Sequence, residues 1–127
     1  SVPVIDVALK TAKFYRHESC GKCTPCREGT NWTVRMLERI ERGEATPMDL
    51  DVIASVQDNI MGHCLCVLGD SMAMPVASMV CKFRSEFEEH IRRVASDPSG
   101  SGADEAAGLH ALTGTASLAP ASGLPHV

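Results

Sequence analysis

The sequence predicts an all-α fold, a four-helix bundle. Apolar residues recur at three- and four-residue steps in four separate segments. No segment alternates polar and apolar residues as a half-buried strand does. Each helical segment carries a single apolar stripe, so the four stripes bury one another.

The first helix follows Pro3, with Val4, Val7, Ala8, Thr11, Phe14 and Tyr15 on one stripe. The second opens at Thr24-Pro25, an N-cap followed by proline at the first helical position. Its stripe is Trp32, Met36, Leu37 and Ile40, and Gly43 ends it. Thr46-Pro47 repeats the start signal for the third, whose inner face is Leu50, Ile53, Ala54, Gln57 and Ile60, with Gly62 as the stop. Leu68-Gly69-Asp70 reads as a tight turn in which Asp70 caps the next helix. That fourth helix is expected from about Ala73 to Ala95, on Val76, Val80, Phe83, Phe87, Ile91 and Val94, with Glu88–Arg92 and Glu89–Arg93 as outer i,i+4 pairs.

These helices fit a compact body over residues 1–96. Residues 97–127 are expected to be a disordered tail: from Pro98 on the chain is mostly Ala, Gly, Ser, Pro, Thr and Leu, with no Lys, Arg or aromatic residue. With 44% hydrophobic and 4% aromatic residues, the core must be aliphatic and rich in methionine. The net charge is −4, but Asp97, Asp104 and Glu105 lie in the tail, which leaves the body nearly neutral. A body without a basic face argues against nucleic-acid binding. No apolar run approaches the ~18 residues of a membrane span, so direct insertion is not expected. The N-terminus has neither a basic nor an apolar region of a signal peptide, which points to a reducing, cytoplasmic setting with free thiols rather than three disulfides.

Five of the six cysteines lie in or beside the connections Glu18–Cys23 and Gly62–Ser71. In an up-down-up-down bundle the first and third connections fall at the same end, so the two cysteine loops should meet. Cys20, Cys23 and Cys26 form C-x2-C-x2-C, and Cys64 or Cys66 can supply a fourth ligand. That set suits [4Fe–4S], which is held by four thiolates. A zinc site of four thiolates comes as two C-x2-4-C pairs, which three cysteines followed by C-x-C do not match. A structural zinc module, or an interaction bundle with incidental cysteines, is the alternative.

Around the thiols, Cys26 falls at the second position of the second helix, where the helix dipole favours an anion. Lys22 and Arg27 are candidate counter-charges, and Gly21 allows a tight turn. His17 and His63 flank the loops as hydrogen-bonding or capping groups. Cys81, beside Lys82, is expected to be a buried or half-buried free thiol, and Met72, Met74 and Met79 core or interface filler.

The run Ser19-Cys20-Gly21-Lys22-Cys23-Thr24-Pro25-Cys26-Arg27-Glu28-Gly29 resembles the cluster motif of the NADH-binding flavoprotein subunit of respiratory complex I. Gly62-His63-Cys64-Leu65-Cys66-Val67-Leu68-Gly69-Asp70, followed by Pro75, resembles that family's G-H-T-I-C-A-L-G-D segment, and Phe83-Arg84 and Glu86 resemble its next helix. The likeness covers about residues 2–95. It implies a four-helix bundle whose two loops, at one end, hold a [4Fe–4S] cluster on Cys20, Cys23, Cys26 and Cys66; Cys64 falls where the family commonly has Thr. Flavoprotein subunits of NAD-dependent hydrogenases and formate dehydrogenases share the cysteine pattern.

In that family NADH reduces FMN, and the cluster takes electrons from FMN one at a time. The flavin- and NADH-binding region precedes the matching segment, and this chain has no Gly-rich phosphate loop, so alone it is not expected to oxidise NADH. The resemblance implies partners in the flavin/NADH-binding domain and the other subunits of complex I's peripheral arm, at the inner face of a membrane. Val67 and Leu68, directly after Cys66, are then expected to face the flavin domain, on an exposed apolar patch that includes Met72 and Met74.

Overall fold

Five helices and no strand make up residues 2–97, which this computed structural model describes: α1 (Val4–Glu18), α2 (Thr24–Glu41), α3 (Pro47–Ile60), α4 (Leu68–Lys82) and α5 (Arg84–Ser96). Each of the first four packs on its neighbour in sequence, and α4 returns to α1. The helix α5 touches all of the other four. Leu37, Ile40, Leu50, Ile53, Ile60, Met72, Val76 and Phe87 fill the centre and are fully buried. Apart from Asp97, the expected tail lies outside the described residues. No described helix is long and apolar enough to cross a membrane.

Local signals explain the helix ends. Gly43 adopts φ +73°, its N–H donates to the Ile40 carbonyl and the Glu44 N–H to the Arg39 carbonyl, the paired bonds of a Schellman stop. At α3 the Asp49 carboxylate accepts the Thr46 N–H at 2.9 Å, half of a capping box. At α2 the N-cap is Cys23 rather than Thr24, so Cys26 sits one position deeper in the first turn than the sequence suggests.

The fourth expected helix is two. It starts earlier, at Leu68, so Leu68-Gly69-Asp70 is its first turn and not a separate one; Asp70 does not cap it but accepts the Gly62 N–H. Pro75 therefore stands inside α4. The chain leaves the helix at Phe83 (φ −112°, ψ 26°) and α5 begins at once. Packing accounts for the break. One straight helix from Leu68 to Ser96 would be about 43 Å long, against about 27 Å for α2. Its last turns would carry Phe87 and Ile91 into water; folding back at Phe83 buries both. The cost falls on Phe83, which stands 46% exposed.

Two stripes are also rotated. α1 buries Ile5, Ala8, Leu9 and Ala12, while Val7 and Phe14 face outward. The two alanines let a neighbouring helix approach more closely than Val7 and Phe14 would. On α2 the buried face is Thr30, Thr33, Val34, Leu37 and Ile40, and Trp32 is 55% exposed. The outer pair Glu89–Arg93 is present, but Glu88 pairs with Arg84 at 3.0 Å rather than with Arg92.

The helix α5 lies across one end of the molecule. Its Glu86 carboxylate accepts the N–H of Val4 at the start of α1. His90 Nε2 lies 3.3 Å from the Glu41 carbonyl at the end of α2, and Arg84 reaches Asp51 and the Pro47 carbonyl at the start of α3. The cysteine-bearing connections, α1 to α2 and α3 to α4, are at the other end.

Candidate metal centre

In the first connection, Gly21 turns the chain with φ +76°, a conformation that a side chain would strain. The Gly21 N–H donates to Ser19 Oγ at 3.4 Å, and Arg27 Nη1 donates to the Gly21 carbonyl at 2.8 Å. Cys20 is exposed, Cys23 half-buried and Cys26 buried. Ser19 Oγ lies 3.2 Å from Cys26 Sγ, so its hydroxyl can donate to that sulfur as a thiolate.

In the second connection, the Gly62 N–H donates to Asp70 Oδ1 at 3.0 Å, tying the end of α3 to the first turn of α4. Cys64 is half-buried, and its Sγ donates to the Ile60 carbonyl at 3.6 Å. Cys66 is exposed. Leu65 and Val67 on either side of it stand 81% and 75% exposed.

The two connections meet through sulfur. The Leu65 N–H donates to Cys23 Sγ at 3.3 Å, across 42 residues of chain. Electrostatics place more thiols in the same neighbourhood. The Cys64 thiol is pushed up chiefly by burial, then by negative charge on Cys26, Cys23, Asp70 and Cys66. Thus Cys64 lies close enough to Cys26, Cys23 and Cys66 to feel their charge.

The donor set fits an iron–sulfur cluster in kind: free thiols from two loops, with an N–H and a hydroxyl aimed at two of the sulfurs. Among the described residues no three His, Cys, Asp or Glu side chains close on one point.

Other expected site residues fall as follows. Arg27 is occupied by the Gly21 carbonyl and by Glu28 at 3.2 Å, and Lys22 is exposed. His17 pairs with Glu18 and turns to solvent; His63 is exposed, with its backbone N–H on the Ile60 carbonyl. Cys81 is exposed, not buried, because α4 turns Val76 and Val80 inward instead. Of the expected patch, Val67 and Met74 are exposed and Leu68 is half-buried, but Met72 is fully buried in the core. Ser19 and Asp70 are contributors that spacing does not mark. Ser19 stands directly before the first cysteine, the one signal that could have found it.

Residues 6–90 match the family described as the NADH-ubiquinone oxidoreductase-F iron-sulfur binding region. The chain is 48% identical over 100 residues to an NADH-quinone oxidoreductase subunit of Streptomyces coelicolor, covering 77% of this chain and 22% of that protein. It is 37% identical over 102 residues to the mitochondrial NADH-ubiquinone oxidoreductase 51 kDa subunit of Aspergillus niger, covering 80% and 21%. It thus spans about a fifth of the length of these curated relatives. Among solved structures, an NAD+-reducing [NiFe]-hydrogenase in the air-oxidised state superposes with a TM-score of 0.66 at 34% identity, covering 70% of this chain and 16% of that one.

Proposed function

Since the chain belongs to the NADH-ubiquinone oxidoreductase-F iron–sulfur binding family, we propose that it holds one [4Fe–4S] cluster and carries electrons out of a flavin site. The body, residues 1–96, acts as a four-helix bundle of α1–α4, and its two connections hold the cluster through Cys20, Cys23, Cys26 and Cys66. The observation that carries this reading is the Leu65 N–H bonded to Cys23 Sγ, which joins the two cysteine loops.

When bound, the cluster supplies one-electron chemistry. This chain's residues position it and set its potential. Leu65 N–H and the Ser19 hydroxyl direct positive ends at Cys23 and Cys26, which favours added negative charge. Cys64 stays a non-ligand because its thiol turns toward the Ile60 carbonyl. FMN and NADH are bound by a domain outside this chain. The exposed Val67, with Leu68, faces that domain within the peripheral arm of a membrane-associated NADH:quinone oxidoreductase at its inner face. The likeness to an NAD+-reducing hydrogenase favours a second reading, the same electron relay in a hydrogenase flavoprotein subunit.

The test is iron and sulfide analysis of chain purified without oxygen. Cys66→Ser should abolish the cluster, and Cys64→Ser and Cys81→Ser should keep it. Iron lost from Cys64→Ser but kept by Cys66→Ser would overturn the ligand assignment. A separately supplied flavin-binding domain should let NADH bleach the cluster; reduction by NADH with no such domain would contradict the reading of this chain as the relay alone.

A further inference from the structure

Two glycines stand at matching places just after the two cysteine loops. Gly29 is three residues after Cys26 and Gly69 three residues after Cys66. Both are buried, on α2 and on α4, and both face Ile60, the last residue of α3. A Cβ on Gly29 would come 2.5 Å from Ile60 Cδ1 and 2.6 Å from Cγ1. A Cβ on Gly69 would come 3.0 Å from Ile60 Cγ2 and 2.6 Å from Cys64 Sγ. Ile60 itself is 1% exposed.

We propose that Ile60, gripped between Gly29 and Gly69, is the spacer that fixes how far apart the two cysteine loops stand, and so positions the thiols for the cluster. The cluster part of this statement rests on the function proposed above. Close packing makes the effect local and steep, because interiors transmit a methyl-sized change rather than absorb it. Gly29 and Cys26 share one face of α2 at three-residue spacing, so pushing Gly29 away from α3 moves Cys26 with it. The Ile60 carbonyl also holds the Cys64 thiol and the His63 N–H, so the spacer and the second loop move as one. Ile60 is thus a positioning residue, acting through the backbone that carries the thiols.

The experiment compares full-length Gly29→Ala, Gly69→Ala, Ile60→Ala and the double variant Gly29→Ala/Ile60→Ala. Gly43→Ala serves as a control. It meets Val94 at 2.7 Å and has φ +73°, so it also destabilises, but at the far end of α2. The first readout, on metal-free chain, is the yield of a short thiol crosslink between Cys23 and Cys66, mapped by mass spectrometry. The second is the midpoint potential and paramagnetic resonance spectrum of cluster-loaded chain. Gly29→Ala should cut the crosslink several-fold and shift the potential; the double variant should restore both toward wild type. Gly43→Ala should lower the melting temperature and leave both readouts alone. Glycine variants that melt lower but keep wild-type crosslinking and potential would overturn the spacer, as would an equal shift in Gly43→Ala. Where Gly29→Ala fails to fold, Ile60→Ala decides: an unchanged crosslink yield overturns the proposal. A wild-type chain that takes up no iron overturns the cluster reading, and the crosslink still decides the spacer.

Discussion

Ser19 shows what a single hydroxyl can do at a sulfur. Its Oγ lies 3.2 Å from Cys26 Sγ, and a donor at a thiolate stabilises the more negative, reduced cluster. Ser19→Ala should therefore lower the midpoint potential. The shift should be on the order of tens of millivolts, because one-electron couples move about 59 mV per tenfold change and a hydrogen bond contributes about 1 kcal/mol. Redox titration of the anaerobic protein checks it; a potential that rises or stays fixed contradicts the role. The cysteine spacing was legible at this scale because it is written in one short run. The partners of the sulfurs were not. Leu65 offers only a backbone N–H, which every residue but proline has, and Asp70 reads as a helix cap until the fold puts Gly62 beside it. Phe14 and Trp32 mislead because an aromatic residue reads as core, whereas here alanines and threonines pack the helix faces more closely.

Among the elements, α5 is the one that periodicity could not separate. Apolar residues keep helical spacing straight through Phe83, so the sequence reads one helix, and only the length of its neighbours demands a bend. Pro75, a residue type that suits a first helical turn, stands inside α4. Phe87 anchors α5 and is wholly buried, so Phe87→Ala should destabilise the chain by about 3–5 kcal/mol, a large share of a small domain's stability. Urea unfolding followed by circular dichroism measures it, and a cost under about 1 kcal/mol would show that α5 is not held by its core contact. The bend also carries charge. Arg84 donates to Asp51 at 2.6 Å and holds its carboxyl below the ordinary value of 3.8. With the folded value lowered, the stabilisation from this pair is complete above pH 3.8 and fades as pH falls through the depressed value. Asp51→Asn should therefore melt below wild type near neutrality and converge with it in strong acid. Both partners face solvent, so the gap should be small and shrink in salt; a gap that widens on acidification would contradict the pairing.

For the whole molecule, the all-helical class and the meeting of the two loops followed from periodicity and from counting connections. What could not be counted was how the opposite end is held. The end crossed by α5 is fastened by Phe87, Ile91 and polar contacts to α1, α2 and α3. The cysteine end is joined by the Leu65–Cys23 bond, the Gly62–Asp70 bond and the packing around Ile60. Removing iron by chelation should thus leave the helical circular dichroism while lowering the melting temperature, because metal binding adds directly to folding stability. Equal melting with and without iron would show that the cysteine end holds itself.

The transverse placement of α5 gives the molecule a direction in which it comes apart. Helices α1 to α4 are tethered together at one end and linked by sulfur at the other, like a clasped fan. In the iron-free chain, amide exchange should be fastest at the last turn of α1, the first turn of α2 and the loop around Cys66, and slow down along each helix toward α5. The chain could then open its cysteine loops to take up iron and sulfide without giving up its core, so that assembly of the cluster and folding of the protein become separable events.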